Sequence, residues 1–197
     1  MASVDTVAAF DFDGTLTTRD SLLGYLRIVA GNRDLMRAAL AIAPQLVAAR
    51  LDDDRRDEAK VALLREVLGG RSEAWLRDLG RRYADLLVGC QLRPDVVARL
   101  QHHQQQGHAV VIVSASPTVY LEPVGERLGV DAVLATELAI GPDGRCTGEL
   151  VGSNCRRAEK VRRLEEWIAG RELQVHAYGD SRGDDELLAR SDHPTRV

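Results

Sequence analysis

The sequence predicts an α/β fold, in which a parallel sheet has helices on both faces and a small helical block is inserted after the first strand. Two observations support this prediction. After Pro94, short apolar runs alternate with helical periodicity, which is typical of parallel strands joined by crossover helices. From about Asp20 to Cys90 the periodicity is helical almost throughout, so this stretch is expected to form a separate helical unit.

The first strand is predicted over Val4 to Phe12, a short run rich in β-branched and apolar residues. Such runs are typical of parallel strands that are buried on both faces. The sequence Asp13-Gly14-Thr15 then favours a turn, because Asp and Gly are common turn residues. We therefore expect the chain to leave the sheet at this point.

The helical block contains apolar residues at helical spacing, first Leu22, Leu23, Leu26 and Val29, and later Val61, Leu64, Val67 and Leu68. Gly69-Gly70 is a plausible helix stop. Ser72 is expected to cap a further helix. Trp75 and Tyr83 of that helix, and Trp167 later in the chain, are expected in the core.

The later elements follow from the same patterns. We expect a helix through Val96 and Leu100 that ends near Gly107, strand Ala109 to Val113, helix Thr118 to Leu128, strand Ala132 to Thr136, a hairpin turning at Gly141 to Gly144, helix Arg157 to Ala169, strand Leu173 to Tyr178, and a helix near Asp184 to Ala189. The predicted domains are therefore an α/β core of residues 1–17 and 93–197 and a helical cap of residues 18–92.

Composition excludes several classes of function. The chain of 197 residues has a net charge of -4 and no long basic block, so no nucleic-acid partner is expected. Its apolar stretch Ala38 to Ala49 is shorter than the ~20 residues of a membrane span, so stable membrane insertion is not expected. The N-terminus lacks a signal-peptide pattern, and three cysteines form no disulfide framework. These features predict a cytoplasmic protein.

Polar clusters follow three predicted strands: Asp11 to Thr15, Ser114 to Ser116, and Gly179 to Asp184. Ligands of open parallel sheets bind at the carboxyl ends of the strands, so these clusters are expected to meet in one crevice. Several carboxylates in one crevice repel each other unless a cation lies among them. Carboxylate oxygens suit Mg²⁺, which is therefore the expected cofactor.

The run Asp11-Phe12-Asp13-Gly14-Thr15-Leu16-Thr17 resembles the first motif of the haloacid dehalogenase superfamily. Val110 to Ser114 resembles the second motif, Lys160 fits the third, and Gly179-Asp180 with Asp184 matches the fourth. Four motifs in order are far more specific than one. The helical insertion lies where the phosphoserine phosphatase-like branch (subfamily IB) carries its cap, so the resemblance implies a Rossmann-like core.

The resemblance also implies roles for the matching residues. Asp11 would be the nucleophile that forms an aspartyl-phosphate, and Asp13 would be the general acid and base. Ser114 and nearby backbone, including Ala115, would hold phosphate oxygens, and Lys160 would neutralise charge. The implied metal site uses Asp11, the Asp13 carbonyl, Asp180 and Asp184. Together they imply a Mg²⁺-dependent phosphomonoesterase that acts on a small phosphorylated metabolite.

The substrate is less well defined by the sequence. Asp20 and Lys60 stand where phosphoserine phosphatases place a Glu and an Arg that hold the substrate. An Arg side chain makes two parallel hydrogen bonds to a carboxylate, and a Lys side chain does not. Both residues are candidate substrate-binding groups, and surface charges are an equal alternative. The apolar stretch Leu35 to Leu51 suggests a phospholipid headgroup phosphatase, although packing within the cap explains it more simply.

Other functional classes remain open alternatives. A phosphotransferase or phosphomutase would keep the aspartyl-phosphate but exclude water. A non-catalytic phosphate-binding protein is disfavoured because each catalytic position is filled, and a dehalogenase is disfavoured by Asp13. The five histidines show no ligand spacing, so surface or core roles are expected for them. The sequence makes no prediction of oligomeric state.

Overall fold

The structure is a computed structural model that describes residues 6–52 and 55–197. Its strands are β1 (Thr6–Phe10), β2 (Ala109–Pro117), β3 (Ala132–Thr136), β4 (Leu138–Ile140), β5 (Cys146–Leu150), β6 (Gln174–Gly179) and β7 (His193–Arg196). Its helices are α1 (Leu22–Ala41), α2 (Ala43–Leu51), α3 (Arg56–Leu68), α4 (Glu73–Cys90), α5 (Pro94–Gln105), α6 (Thr118–Leu128), α7 (Ala158–Ile168) and α8 (Asp185–Arg190).

Five strands form one parallel sheet in the order β3-β2-β1-β6-β7. Strands β4 and β5 form a separate antiparallel hairpin, as the Gly141 to Gly144 turn predicts. The predicted α/β Rossmann-like fold is therefore confirmed. Strand β2 is longer than predicted and continues to Pro117, while Val4 of the first predicted strand lies outside the described residues.

The sheet is buried on both faces, because successive side chains of a strand point in opposite directions. On β1, Ala8 and Phe10 join a core cluster with residues of α5 and α6. Val7 and Ala9 join a second cluster that contains Leu164 of α7 and residues of α8. This burial on both sides explains why the strands are continuous apolar runs rather than alternating ones.

Helices α1 to α4 lie between β1 and α5, where the sequence predicts an insertion. The two ends of this segment meet, because Thr17 pairs with Leu92 in an antiparallel bridge and the Arg93 N–H donates to the Leu16 carbonyl at 2.8 Å. Tyr25 and Tyr83 of the segment belong to the same core cluster as Phe10. The segment therefore shares one hydrophobic core with the sheet.

Packing within the helical segment explains only part of the apolar stretch Leu35 to Leu51. Packing accounts for Ala38 and Ile42, which are buried, and for Leu35 and Leu46, which are partly buried against the core, but no residue of α2 is fully buried. Large apolar side chains are exposed here at Met36, Leu40, Val47 and Leu51. Across residues 6–52 and 55–197, none of the helices combines the length and apolar character needed to cross a membrane.

The expected core position of Trp75 is wrong. Its side chain is 41% exposed and lies beneath the guanidinium of Arg71, 5.3 Å from the ring centre. Trp75 is one turn from Arg71 in sequence, and this cation–π contact stabilises the ring at the surface. Tyr83 is buried as predicted, and Trp167 packs at the edge of the second cluster.

Candidate active site

Three neighbouring strands bring the polar clusters together at the carboxyl edge of the sheet. Asp11 directly follows β1, Ser114 lies in the last part of β2, and Asp180 follows β6. The Asp11 N–H donates to the Tyr178 carbonyl of β6 at 2.9 Å, which extends the sheet by one residue. A cavity of about 300 Å³ opens beside Asp11 and Ser114. The predicted convergence on one crevice is therefore observed.

Gly14 makes the tight turn after β1 possible. Its φ of +83° is unfavourable for other residues. A Cβ atom at this position would lie 2.3 Å from Asp180 Oδ2, well inside contact distance. The turn also brings Thr15 Oγ1 to 3.4 Å from Asp180 Oδ1. The absence of a side chain at Gly14 thus allows the first and last polar clusters to approach each other.

Lys160 lies in the first turn of α7, and its ammonium group contacts two carboxylates. Nζ is 2.5 Å from Asp11 Oδ1 and 2.6 Å from Asp184 Oδ1. Asp184 is itself held by Ser181, whose N–H and hydroxyl donate to Oδ2 at 3.0 and 2.9 Å. Burial alone would lower the pKa of Lys160, but the two carboxylates raise it above its usual value. The ammonium therefore stays charged at neutral pH.

The carboxylates of Asp11, Asp180 and Asp184 each offer an oxygen within 4.8 Å of the other two. Burial raises the pKa of Asp11, and burial together with the charge of Asp184 raises that of Asp180. These shifts reflect the cost of concentrating negative charge out of water. A divalent cation with a preference for oxygen ligands would relieve it, so the donor set fits Mg²⁺.

The Asp13 carboxyl lies apart from this trio and is held at both oxygens. The Ser21 N–H donates to Oδ1 at 2.7 Å, and the Ser116 hydroxyl donates to Oδ2 at 2.5 Å. Burial raises the pKa of Asp13 above its usual range, although the bonds from Ser116 and Ser21 act in the opposite direction. A raised pKa suits a carboxyl that must carry a proton to a leaving group.

Ser114 is buried at the cavity wall, and its hydroxyl oxygen accepts a hydrogen bond from the Ser116 N–H at 3.1 Å. Next to it, the Ala115 carbonyl accepts from the Lys60 ammonium. The Ser114 hydroxyl hydrogen can still donate toward the cavity, since a hydroxyl both donates and accepts. This wall of β2 is therefore suited to hold an anionic oxygen.

Lys60 of α3 crosses from the helical insertion to the sheet. Besides the Ala115 carbonyl, its Nζ contacts Asn154 Oδ1 at 2.6 Å, and Asn154 Nδ2 donates to Asp57 Oδ1 at 2.7 Å. Burial lowers the pKa of Lys60 to about 8, against the opposing charges of Asp57 and Asp13. Lys60 is thus a partly buried cation at the cavity, rather than the solvated surface charge of the alternative interpretation.

Asp20 lies on the exposed rim of the same cavity. Its Oδ1 accepts a hydrogen bond from the Leu23 N–H at 3.2 Å, which satisfies one free donor at the start of α1. The carboxylate therefore has a local structural role in addition to its position beside the cavity.

The predicted residues that line the cavity are Asp11, Asp13, Asp20, Lys60, Ser114, Ala115, Lys160 and Asp184, and Asp180 joins them through the carboxylate trio. Sequence reasoning placed Ser116 and Ser181 in the polar clusters without a role, and it missed other groups that line or support the cavity: Ser21, Arg56, Asp57, Tyr120, Asn154 and Arg156. Ser116 had a visible signal, because it follows Ser114 by two residues on the same strand. Asn154, in a loop, had none.

Comparison with known proteins adds family and fold relationships. The sequence matches the haloacid dehalogenase-like hydrolase family over residues 8–189. It is 39% identical to Protein CicA of Caulobacter vibrioides over 94% of this chain and 83% of that protein. It is 28% identical to phosphoserine phosphatase SerB1 of Mycobacterium tuberculosis over 94% of this chain and 63% of that protein.

Solved structures show the same fold. A protein of unknown function from Bordetella pertussis Tohama I aligns with a TM-score of 0.78 at 24% identity, covering 95% of this chain and 87% of that one. A substrate-bound phosphoserine phosphatase aligns with a TM-score of 0.67 at 16% identity, covering 95% and 83%. At these identities the structural likeness establishes the architecture alone.

Proposed function

Because the chain belongs to the haloacid dehalogenase-like hydrolases and is a phosphatase of the phosphoserine phosphatase-like kind, we propose that it is a Mg²⁺-dependent phosphomonoesterase that works through an aspartyl-phosphate on Asp11. The observation that carries the proposal is the position of the Asp11 carboxylate. It contacts Lys160 at 2.5 Å and lies with Asp180 and Asp184 in one acidic trio beside the cavity. A nucleophile in this setting has nearby charge to balance a phosphoryl group.

The covalent step follows from the two carboxyls of the first turn. The Asp11 oxygen that Lys160 does not hold attacks phosphorus, and the bond from phosphorus to the leaving oxygen breaks. Asp13 gives its proton to that leaving oxygen. In the second half, the Asp13 carboxylate takes a proton from water, which attacks phosphorus and releases phosphate and the Asp11 carboxylate.

Asp11, Asp180 and Asp184 would hold Mg²⁺, with the Asp13 carbonyl as a further oxygen ligand. The bound ion would supply a positive charge that neutralises the phosphoryl oxygens during transfer. Lys160 adds a second positive charge on Asp11, and the Ser114 hydroxyl with neighbouring backbone groups orients the phosphate. Each group then acts through position and charge, which is the main requirement of phosphoryl transfer.

The substrate end of the cavity favours a small phosphorylated metabolite. A cavity of about 300 Å³ has room for a phosphate and a small organic group. Lys60 supplies a cation there and Asp20 an anion at the rim. We propose that both contact the part of the substrate that leaves, and that residues 18–92 act as a cap over the core of residues 1–17 and 93–197.

Hydrolysis of p-nitrophenyl phosphate tests this proposal. The wild-type protein is expected to release phosphate only with Mg²⁺, and EDTA or Asp11→Asn is expected to abolish the activity. Activity in purified Asp11→Asn protein would remove the covalent mechanism. Phosphate transfer to an added alcohol in place of water would favour the phosphotransferase alternative. A panel that includes phosphoserine and histidinol phosphate would then define the substrate.

A phospholipid headgroup phosphatase is the second candidate, and one observation favours it. Met36, Leu40, Val47 and Leu51 of the cap are exposed, with Arg33 and Arg50 on the same two helices. Amphipathic helices of this kind bind anionic lipid surfaces. Phosphatidylglycerophosphate in mixed vesicles tests it: hydrolysis that falls in Leu40→Ser with Val47→Ser, while p-nitrophenyl phosphate is still hydrolysed, supports this candidate. Equal turnover by both proteins would exclude it.

A further inference from the structure

The carboxyl of Asp13 is part of a closed ring of hydrogen bonds. Ser116 donates to Oδ2 at 2.5 Å, Tyr120 donates to the Ser116 hydroxyl oxygen at 2.8 Å, and the Tyr120 oxygen lies 3.0 Å from Ser21 Oγ. The Ser21 N–H closes the ring at Oδ1 at 2.7 Å. Three residues therefore determine where both Asp13 oxygens lie.

The direction of each bond follows from the number of hydrogens. The Tyr120 hydroxyl has one hydrogen, which it donates to Ser116, so the Ser21 hydroxyl must donate to Tyr120. Ser21 and Tyr120 are fully buried and Ser116 is nearly so. Burial raises the pKa of Tyr120 well above its usual value, so this donor keeps its hydrogen. A buried donor without a partner is costly, and this arrangement gives each hydroxyl one.

The ring of hydrogen bonds is held by the helical segment of residues 18–92 and by α6 of the core. Tyr120 of α6 packs against Tyr25 of α1 and Tyr83 of α4, with ring centres 5.0 and 5.5 Å apart. The Tyr83 hydroxyl also donates to the Ser21 carbonyl at 2.8 Å. Tight aromatic packing restricts rotation of the Tyr120 ring. The ring of hydrogen bonds therefore rests on a rigid support that joins the cap to the sheet.

We propose that Ser116 and Tyr120 are positioning residues that hold the Asp13 carboxyl in the direction from which it protonates the leaving oxygen. This proposal rests on the acid–base role of Asp13 in the proposed function. Ser116 bonds the Asp13 carboxyl and Tyr120 bonds Ser116, so both side chains act through that carboxyl. General acid catalysis contributes roughly 10²- to 10⁴-fold, and it depends on the carboxyl being held within hydrogen-bond reach of the leaving oxygen.

The loss of activity that follows displacement of the Asp13 carboxyl depends on the leaving group of the substrate. Phenol, like the tyrosine side chain, has a pKa of about 10, so phenolate needs a proton as it leaves. p-Nitrophenolate is a much weaker base and needs less help. If the carboxyl is displaced, hydrolysis of phenyl phosphate should fall more than hydrolysis of p-nitrophenyl phosphate. The two substrates have similar shapes, so the ratio of their kcat/KM values reports proton transfer rather than binding.

Ser116→Ala and Tyr120→Phe test the proposal through this ratio. In each variant we expect the kcat/KM for phenyl phosphate, relative to that for p-nitrophenyl phosphate, to fall by on the order of tenfold, a part of the full effect of the acid. Ser116→Thr keeps a hydroxyl and should restore the wild-type ratio. Asp13→Asn defines the lower limit of the ratio. If Ser116→Ala does not fold, Tyr120→Phe decides by itself.

Tyr25→Phe is the matched control. The Tyr25 hydroxyl is also buried, but it donates to the Leu76 carbonyl at 2.7 Å and takes no part in the ring of hydrogen bonds around Asp13. It should lower stability without changing the ratio. Equal losses for both substrates in Ser116→Ala and Tyr120→Phe, or an unchanged ratio, would overturn the positioning role. A wild-type protein that leaves p-nitrophenyl phosphate intact would instead refute the proposed function.

Discussion

Lys160 Nζ lies between Asp11 Oδ1 and Asp184 Oδ1, at 2.5 and 2.6 Å, and all three side chains are buried. A single buried cation thus separates two carboxylates that come from opposite ends of the chain. Breaking a buried ion pair leaves uncompensated charge, which typically costs about 3–5 kcal/mol. Lys160 is therefore expected to contribute both to the stability of the folded protein and to the charge balance at Asp11.

Lys160→Met should lower both stability and activity. We expect a loss of roughly 10²- to 10³-fold in kcat, as for other groups that stabilise developing charge. Without the ammonium, the carboxylates of Asp11, Asp180 and Asp184 repel each other more strongly. Added Mg²⁺ should therefore raise Tm more in the variant than in the wild type. Thermal melts with and without Mg²⁺ check this. An equal Mg²⁺ shift in both proteins would argue against a shared site for the cation and Lys160.

Gly80→Ala should destabilise the contact between α4 and α6. A Cβ atom at Gly80 would lie 2.1 Å from the Val119 carbonyl oxygen, so the helices would have to separate. Overpacking of this kind costs about 1–3 kcal/mol. Gly89→Ala in the same helix is the control, because nothing lies within 4 Å of its Cβ position. Urea unfolding should show a loss at Gly80 and no loss at Gly89.

His103 should make stability depend on pH. Burial lowers its pKa to about 4, with nearby His176 and His108 adding to the effect. The unfolded residue titrates near 6.5, so the unfolded state takes up more protons between these values. Stability is then complete above about pH 6.5 and is lost as the pH falls toward 4.

The wild type should therefore lose about 2 kcal/mol between pH 7 and pH 5 through this group. His103→Gln should lose less over the same interval, since the amide does not titrate and can still bond Tyr178, which lies 2.9 Å from His103 Nε2. Exposed His102→Gln is the neighbouring control and should keep most of the wild-type pH dependence, since the charge of His102 is the smallest cause of the lowered His103 pKa. Identical pH profiles for all three proteins would contradict this account.

Lys60→Met should weaken binding of a substrate whose leaving group is anionic. The loss of one charge-assisted contact, worth about 1.5–3 kcal/mol, is expected to raise KM for phosphoserine about tenfold or more, with a smaller effect on p-nitrophenyl phosphate. The wild-type KM for phosphoserine should also rise above pH 8, because the Lys60 pKa is about 8. Arg65→Met, on the same helix but paired with Glu149 at the surface, is the control. Equal KM changes for both substrates would assign Lys60 a structural role alone.

The parts of the site that sequence predicts are those placed by the sheet itself. Asp11 and Asp180 follow β1 and β6, and Ser114 lies in the last part of the neighbouring strand β2. A parallel sheet brings such residues to one edge. Lys160 was predicted from the family motif, since its local sequence resembles a solvated helix start.

The parts that escaped prediction depend on packing between distant segments. Tyr120 bonds Ser116 behind Asp13 because α6 packs against α1 and α4, and Asn154, in a loop, accepts a hydrogen bond from Lys60. Local periodicity carries no information on such contacts. The histidines were expected at the surface or in the core, and His103 is buried; the ring contacts of His103 in α5 with His108 and with His176 of β6 were not predicted.

The central claim, that Asp11 carries the phosphoryl group, is tested most directly by trapping the intermediate. The enzyme is mixed with Mg²⁺ and p-nitrophenyl phosphate, quenched, and reduced with borohydride, which converts an acyl phosphate on aspartate into homoserine. Peptide mass spectrometry is expected to find homoserine at position 11 in the wild type and not in Asp11→Asn. Homoserine at another aspartate, or an unmodified Asp11 in an enzyme that is turning over, would contradict the covalent mechanism.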